Sequence, residues 1–279
     1  MGTLENNLYS DELVNPAFRG GDFPEFKPGS VWISGAGPGD KGLLTLLTCH
    51  ALKYCDVILY DALVNTDILE LAPSTATREF VGKRKGYTPV SQIEICQKLV
   101  DYAKQGLRVL RLKGGDPFMF GRGAEECLFL VEHSVPFRVV PSVTSGIGGL
   151  AYAGIPVTHR GINKSVIFLT GHDSTGDLPK DMDWDAISRA SPVLVLFMAI
   201  RKIHKIASLL IENNRNGNEP VAIVYNASMP DQQVCVTTLA ELCNEEKNQQ
   251  YKTPSLVVIG EVVELTGSIS WFDKCETSV

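Results

Sequence analysis

The residues best suited to chemistry run without a break from Arg111 to Glu126, RLKGGDPFMFGRGAEE. The apolar pattern over 107–113 reads as a strand that stops at Gly114, Gly115 and Asp116. Such a stop places backbone amides and a carboxylate at a strand's carboxyl end, where open α/β sheets bind ligands. Arg122 and Glu125 stand three apart where a helix should open, so both can face one site; the plainer alternative is a surface ion pair. Asp116 could equally serve as a helix N-cap.

A second candidate is Gly35-Ala36-Gly37-Pro38-Gly39-Asp40, between a short strand over 31–34 and a helical stretch over 43–55. Glycines there let the backbone turn sharply and approach a ligand closely. A dinucleotide fingerprint needs its third glycine where Asp40 stands, and Pro38 removes an amide. A phosphate loop needs Gly-Lys-Ser/Thr, which does not follow. The motif alone is compatible with a tight strand-to-helix turn.

The elements that position these loops alternate between short apolar runs and helical stretches, an α/β pattern. Further strands are expected over 56–63, 78–83 and 136–141, with a short helix over 68–72 and another from Arg122 to His133. Ser91 with Glu94 three residues on is a capping box, and Gly106 is a natural stop for that helix. Residues 142–164, rich in glycine and small side chains, suggest a junction. Beyond it, strands are expected over 165–172, 192–199, 220–228 and 255–263, and helices over 201–214 and after Thr237. Two α/β domains are the best reading.

Composition narrows the function. The 279 residues are 44% hydrophobic and 21% charged, with a net charge of −6, which disfavours nucleic acid or an anionic membrane as the main partner. A small anionic ligand needs only local positive charge. Seven scattered cysteines without Cys-x-x-Cys spacing read as reduced, mostly buried thiols, and neither they nor the histidines suggest a metal site. The polar, acidic, turn-rich first 29 residues read as a flexible arm rather than a targeting peptide. A cytoplasmic location is expected, or an organellar one if an upstream segment has been removed.

The blocks GAGPGD, LYDALV, VGKRKGYTPVSQIEI, RLKGGDPFMFGRGAEE, VVPSVTSGIGGLAYAGIPVTHR and FLTGH occur in that order. Together they resemble the tetrapyrrole methylase superfamily, and within it the uroporphyrinogen-III C-methyltransferases, from about residue 30 to about 266. The resemblance implies a homodimer of two α/β domains (30–142 and 143–266, with a tail over 267–279) and a methyl donor held between them. It implies S-adenosylmethionine-dependent methylation of uroporphyrinogen III at C2 and C7, through precorrin-1 to precorrin-2, for sirohaem or corrinoid synthesis, with no metal.

The resemblance places Pro38, Gly114, Gly115, Asp116, Thr144, Ser145, Met198, Ala227 and Ser255 at donor-binding positions, with Met119 and Phe120 close by. Without it, Met198 inside LVLFMA would read as core. Asp61, Arg122, Glu125 and Arg160 match substrate-side, catalytic positions. Uroporphyrinogen carries eight carboxylates, and arginines grip carboxylates with paired charge-assisted hydrogen bonds. Glu125 or Asp61 would act as base or pyrrole N–H acceptor. Lys83-Arg84-Lys85 and Lys113 could steer the polyanion, and His159 either orients Arg160 or makes a structural hydrogen bond.

Departures from the family pattern fall at Lys41-Gly42, where an acidic residue is usual, at Ser142–Ser145 in place of Gly-Ile-Thr-Ala, and at Ala199 in place of glycine. Ser142 at the pocket edge could tighten product binding. The alternatives are a later precorrin methyltransferase and a non-catalytic tetrapyrrole-binding regulator.

Overall fold

A computed structural model describes residues 23–82, 90–173 and 175–272. The first half of the chain builds a five-stranded sheet from β1 (Val31–Gly35), β2 (Val57–Tyr60), β3 (Thr77–Phe80), β4 (Val109–Lys113) and β5 (Phe137–Val140). Its order is β3-β2-β4-β1-β5, and every pairing is parallel. Parallel strands need covered faces, which explains why β1 is buried along its whole length.

The two-residue period of the strands divides the core. Trp32, Ile58, Leu110 and Leu112 join Ala51 and Leu52 of α1 (Leu46–Tyr54) on one face. Ile33, Leu59 and Val109 join Ile95 and Leu99 of α2 (Gln92–Lys104), with Cys127 and Leu130 of α3 (Gly123–Glu132), on the other. Each leucine, isoleucine or valine among them contributes about 1.5–3 kcal/mol on burial. The expected capping box is present: Glu94 N–H donates to Ser91 Oγ at 3.2 Å, and Ser91 N–H donates to Glu94 Oε2 at 2.6 Å. Gly106, with φ of 80°, follows the end of α2 as expected.

The crossing to the second half is a π-helical turn, Ser145–Gly149, running into α4 (Leu150–Tyr152). Its glycines have a steric reason. A Cβ on Gly146 would lie 2.7 Å from the Phe197 ring, and one on Gly149 would lie 2.6 Å from Ala227 Cβ.

The second sheet contains β6 (Ile167–Thr170), β7 (Leu194–Phe197), β8 (Pro220–Tyr225), β9 (Gln233–Thr238) and β10 (Ser255–Ile259), in the order β6-β7-β10-β8-β9. Only β6 and β7 pair in parallel; β10 runs antiparallel to β7 and β8, and β8–β9 is antiparallel. α5 (Trp184–Ala190), α6 (Ile203–Glu212) and α7 (Leu239–Leu242) accompany it.

Several boundaries differ from the sequence expectation. β9 and α5 fall in stretches for which the sequence predicts no element; β9 is an exposed edge strand and α5 buries no residue fully, so neither carries a strong apolar pattern. The strand expected through 263 stops at Ile259, because Gly260 (φ 138°) turns the chain into a 3-10 turn over Glu261–Leu265. The strand expected over 78–83 ends at Phe80.

Packing begins before residue 30. Phe26 is buried and stacks on Trp32 at 4.6 Å, and Phe23 stacks on His50 at 5.1 Å. At the other end, Trp271 donates its indole N–H to the Ala151 carbonyl at 2.8 Å. The rest of the expected arm, residues 1–22, and of the tail, residues 273–279, lies outside the described residues, as do Lys83, Arg84 and Lys85. The six described cysteines are free; Cys55, Cys96 and Cys127 are buried, whereas Cys235 is exposed. No described helix is long and apolar enough to cross a membrane.

Candidate active site

The loops after β1 and β4 are tied into one unit. Gly115 N–H donates to the Gly37 carbonyl at 2.7 Å, and Gly37 N–H returns a bond to the Gly115 carbonyl at 3.2 Å. The approach depends on small residues: a Cβ on Gly35 would lie 2.3 Å from the Gly115 carbonyl oxygen. Gly37 and Gly115 have φ of 74° and 67°, a region costly for other L-residues. Gly35 of the first loop thus makes room for the loop after β4, and Gly39 for Met229 and Ala227, consistent with the failed dinucleotide pattern.

Asp116 is not the N-cap of α3. Its Oδ1 accepts from Phe118 N–H and its Oδ2 from Ser142 N–H, both at 2.8 Å. The carboxylate therefore joins the turn after β4 to the segment after β5, and each oxygen keeps a second lone pair for a hydroxyl donor. On its outer side Gly115 is open: a Cβ there would meet only Ser145 N, at 3.9 Å. Thr144 and Ser145 are half-buried beside it, and Pro38 lies next to Gly148. The hydroxyl of Ser142 is buried without a partner among the described residues.

The second sheet contributes from one edge. Met198 follows β7 with φ of 54° and is 44% exposed, so it is not core. Ala227 follows β8 and is buried, and Ser255 opens β10 opposite Tyr225. Because β10 is antiparallel to both neighbours, its beginning lies beside their ends. The two sheets meet here. Phe120, also in a positive-φ conformation, sets its ring 5.0 Å from that of Phe197, with half-buried Met119 beside it in the chain. Asp40 N–H donates to Ser228 Oγ at 3.0 Å, and Tyr152 donates its hydroxyl to Asp40 Oδ2 at 2.7 Å. Ala199 sits where Gly171 leaves room, since a Cβ on Gly171 would lie 2.2 Å from Ala199 Cα.

An open glycine turn, polar side chains at 116, 144 and 145, and an exposed thioether across the seam suit a ligand with an amino-acid head, ribose hydroxyls and a flat apolar base. A separate groove of about 280 Å³, lined by Asp40, Lys41, Asn65, Met229 and Phe272 among others, lies beside this seam.

The proposed substrate-side residues are held differently. Asp61 follows β2; its Oδ1 accepts from Leu63 N–H at 3.0 Å and from Gly114 N–H at 3.3 Å. Arg122 and Glu125 form a bidentate pair, Nε–Oε1 at 2.9 Å and Nη2–Oε2 at 2.6 Å, with side chains 56% and 53% exposed. Arg122's hydrogen bonds hold the Glu125 carboxyl below the usual carboxylate range. Arg160 is exposed, and among the described residues no hydrogen bond or ion pair joins it to Asp61, Arg122 or Glu125. His159 Nδ1 accepts from Gly161 N–H at 3.2 Å, a bond that shapes the turn.

Lys113 cannot steer a polyanion from solution. It is buried, with Nζ 2.9 Å from Glu126 Oε1. Burial lowers its pKa, Arg111 adds to that, and Glu126 opposes it. Glu126 is fully buried; burial alone would raise its carboxyl pKa, but Arg111 and Lys113 outweigh that and leave it lowered. Arg111 and Glu126 bound the stretch singled out in the sequence, but the sequence assigns neither of them a role. A glutamate in the apolar stripe of α3, with Cys127 and Leu130, is the signal that could have found them.

The model of the tetrapyrrole (corrin/porphyrin) methylase family matches residues 30–243. A uroporphyrinogen-III C-methyltransferase from Sinorhizobium sp. is 52% identical over 259 residues, covering 93% of this chain and 92% of that protein. A siroheme synthase from Zymomonas mobilis subsp. mobilis is 44% identical over 89% of this chain, which spans only 52% of that protein. The uroporphyrin-III C-methyl transferase of Thermus thermophilus, solved with S-adenyl homocysteine, superposes with a TM-score of 0.74 at 38% identity, over 85% of this chain and 99% of that one. A cobalt precorrin-4 methyltransferase superposes with a TM-score of 0.75 at 25% identity, over 86% of this chain and 98% of that one.

Proposed function

Because the chain belongs to the tetrapyrrole methylase family, we propose that the seam between its two sheets is the active site of a methyltransferase that uses S-adenosylmethionine to methylate uroporphyrinogen III. The observation that carries this reading is the convergence of the Gly114-Gly115-Asp116 turn, open at Gly115, with Met198 and Phe197 from the other sheet, beside the Asp61 carboxylate.

Pro38, Gly114, Gly115, Asp116, Thr144 and Ser145 form the polar side of the donor site, with Met119 and Phe120 beside them; Met198, Ala227 and Ser255 form the other side. Bound there, S-adenosylmethionine supplies an electrophilic methyl group on a sulfonium. An electron-rich ring carbon of the substrate attacks that methyl. The new C–C bond forms as the S–C bond breaks, and the positive charge passes to the ring until a proton leaves. Alignment of the two reactants supplies much of the rate acceleration. Arg122 and Arg160 grip propionate or acetate groups, and Asp61 accepts a pyrrole N–H or the departing proton. Glu125, its basicity reduced by Arg122, is better suited to holding that arginine in place.

Two rounds, at C2 and C7, lead through precorrin-1 to precorrin-2. The working unit is a cytoplasmic homodimer of domains 30–142 and 143–266. Supplying the protein with labelled donor and either uroporphyrinogen III or an already dimethylated precorrin tests the substrate. Label on the first substrate supports the reading; label only on the second identifies a later methyltransferase, and label on neither leaves a binding protein.

A further inference from the structure

Arg111 and Lys113 stand two apart on β4 and point to the same face of the sheet, beneath α2 and α3. Both are buried, and both meet one oxygen of Glu126: Arg111 Nε lies 3.1 Å and Lys113 Nζ 2.9 Å from Oε1, with Gln92 Nε2 at 3.0 Å. The second oxygen, Oε2, is buried and has no partner among the described residues. Buried charges of this kind add little to stability over a well-packed apolar set. The cluster also has an outward connection. Arg111 Nη2 reaches Asp61 Oδ2 at 3.8 Å, while its Nη1 is fixed by the carbonyls of Leu59 and Leu112 at 3.3 and 3.1 Å.

Two cations thus stand among two carboxylates, one fully buried and one facing the seam. We propose that Glu126 is a positioning residue for Asp61. By taking the Lys113 ammonium and part of the Arg111 guanidinium, it balances the buried charge and leaves one guanidinium arm to orient the Asp61 carboxylate. This rests on the reading of Asp61 as the substrate-facing carboxylate. Without the Glu126 charge, both cations act on Asp61 alone and draw it inward. Without Lys113, Glu126 competes for Arg111 and pulls it from Asp61. Removing one charge of each sign together restores the balance.

The test is a double-mutant cycle on the full chain, reading kcat for methyl transfer and, by calorimetry, the affinity for S-adenosylhomocysteine. Glu126→Gln and Lys113→Met are each expected to lower kcat about tenfold or more with donor-site affinity unchanged, and the double variant to return to within about threefold of the parent. A double variant as slow as the product of the two singles overturns the proposal, as does a folded Glu126→Gln with the parent's kcat. If Glu126→Gln does not accumulate folded, Lys113→Met against the double variant decides: the double must be faster, and a slower one overturns the proposal. Asp61→Asn, run alongside, separates the two readings. If it turns over at the parent's rate, the role of Asp61 fails and the proposal falls with it; if it is inactive while the cycle is additive, only the role of Glu126 fails.

Discussion

Arg122 holds Glu125 in a two-bond fork, with both side chains more than half exposed. The pair is thus accessible to a substrate carboxylate, which can displace or share the guanidinium. Exposed pairs of this kind contribute about 0–1 kcal/mol to stability, so their loss should affect turnover far more than folding. Arg122→Lys removes the planar fork and is expected to lower kcat/KM about tenfold or more, mainly through KM for the tetrapyrrole. Glu125→Gln is expected to do less to kcat than Asp61→Asn, which should lower it at least about a hundredfold. Steady-state kinetics of the three variants check this ordering, and full turnover in Asp61→Asn would refute it.

Gly115 combines a φ of 67° with an open outer side. Gly115→Ala is expected to cost about 1–2 kcal/mol of stability, because an L-residue is strained there. Its larger effect should be on the donor site, where the new methyl projects into the space beside Ser145. Calorimetry with S-adenosylhomocysteine should show weaker binding, and denaturant unfolding the modest stability loss.

Ser142 carries a buried hydroxyl with no partner among the described residues. An unmet polar group of this sort costs about 1–3 kcal/mol, and a bound ligand that accepts from it recovers part of that. Ser142→Ala is therefore expected to be at least as stable as the parent and to bind S-adenosylhomocysteine several-fold more weakly. Equal affinity in the two proteins would show that the hydroxyl does not reach the product.

Asp56 and Arg108 provide the acid-sensitive link between β2 and β4. Asp56 accepts from the Arg108 side chain at 2.9 and 2.7 Å and from its backbone N–H at 2.8 Å, and this holds the Asp56 carboxyl below its usual range. The contribution is present above the unfolded carboxyl's value of 3.8 and is lost as pH falls through the lower folded value. Asp56→Asn should cost about 1 kcal/mol at neutral pH, after allowance for solvent screening, and the gap should close below about pH 4. Thermal unfolding of both proteins across that range measures it.

The first sheet is legible because its central strands are buried runs separated by helices with readable ends; Ser91–Glu94 and Gly106 mark α2 in the sequence itself. The second sheet is less so. β9 lies at an exposed edge, and Gly260 cuts a continuous apolar run in two, so composition there does not follow the element. The glycine turns could be found from their type, but not the reason for each. Gly35 makes room for the Gly115 carbonyl and Gly37 is required by its positive φ, whereas Gly115 leaves open space on its outer side, a distinction that needs the neighbouring chain. Lys113 looked like a surface cation in the sequence because its partner, Glu126, lies thirteen residues away on another element. Met198 sits in an apolar run, and only its positive φ after β7 turns it outward.

The most direct test is a count of methyl groups. Incubated without oxygen with uroporphyrinogen III and methyl-labelled S-adenosylmethionine, the protein is expected to place two labelled methyls on each tetrapyrrole, read by mass spectrometry of the product. A tetrapyrrole with no label, or one that accepts label only when already dimethylated, would contradict the assignment of this seam as the first methylating site.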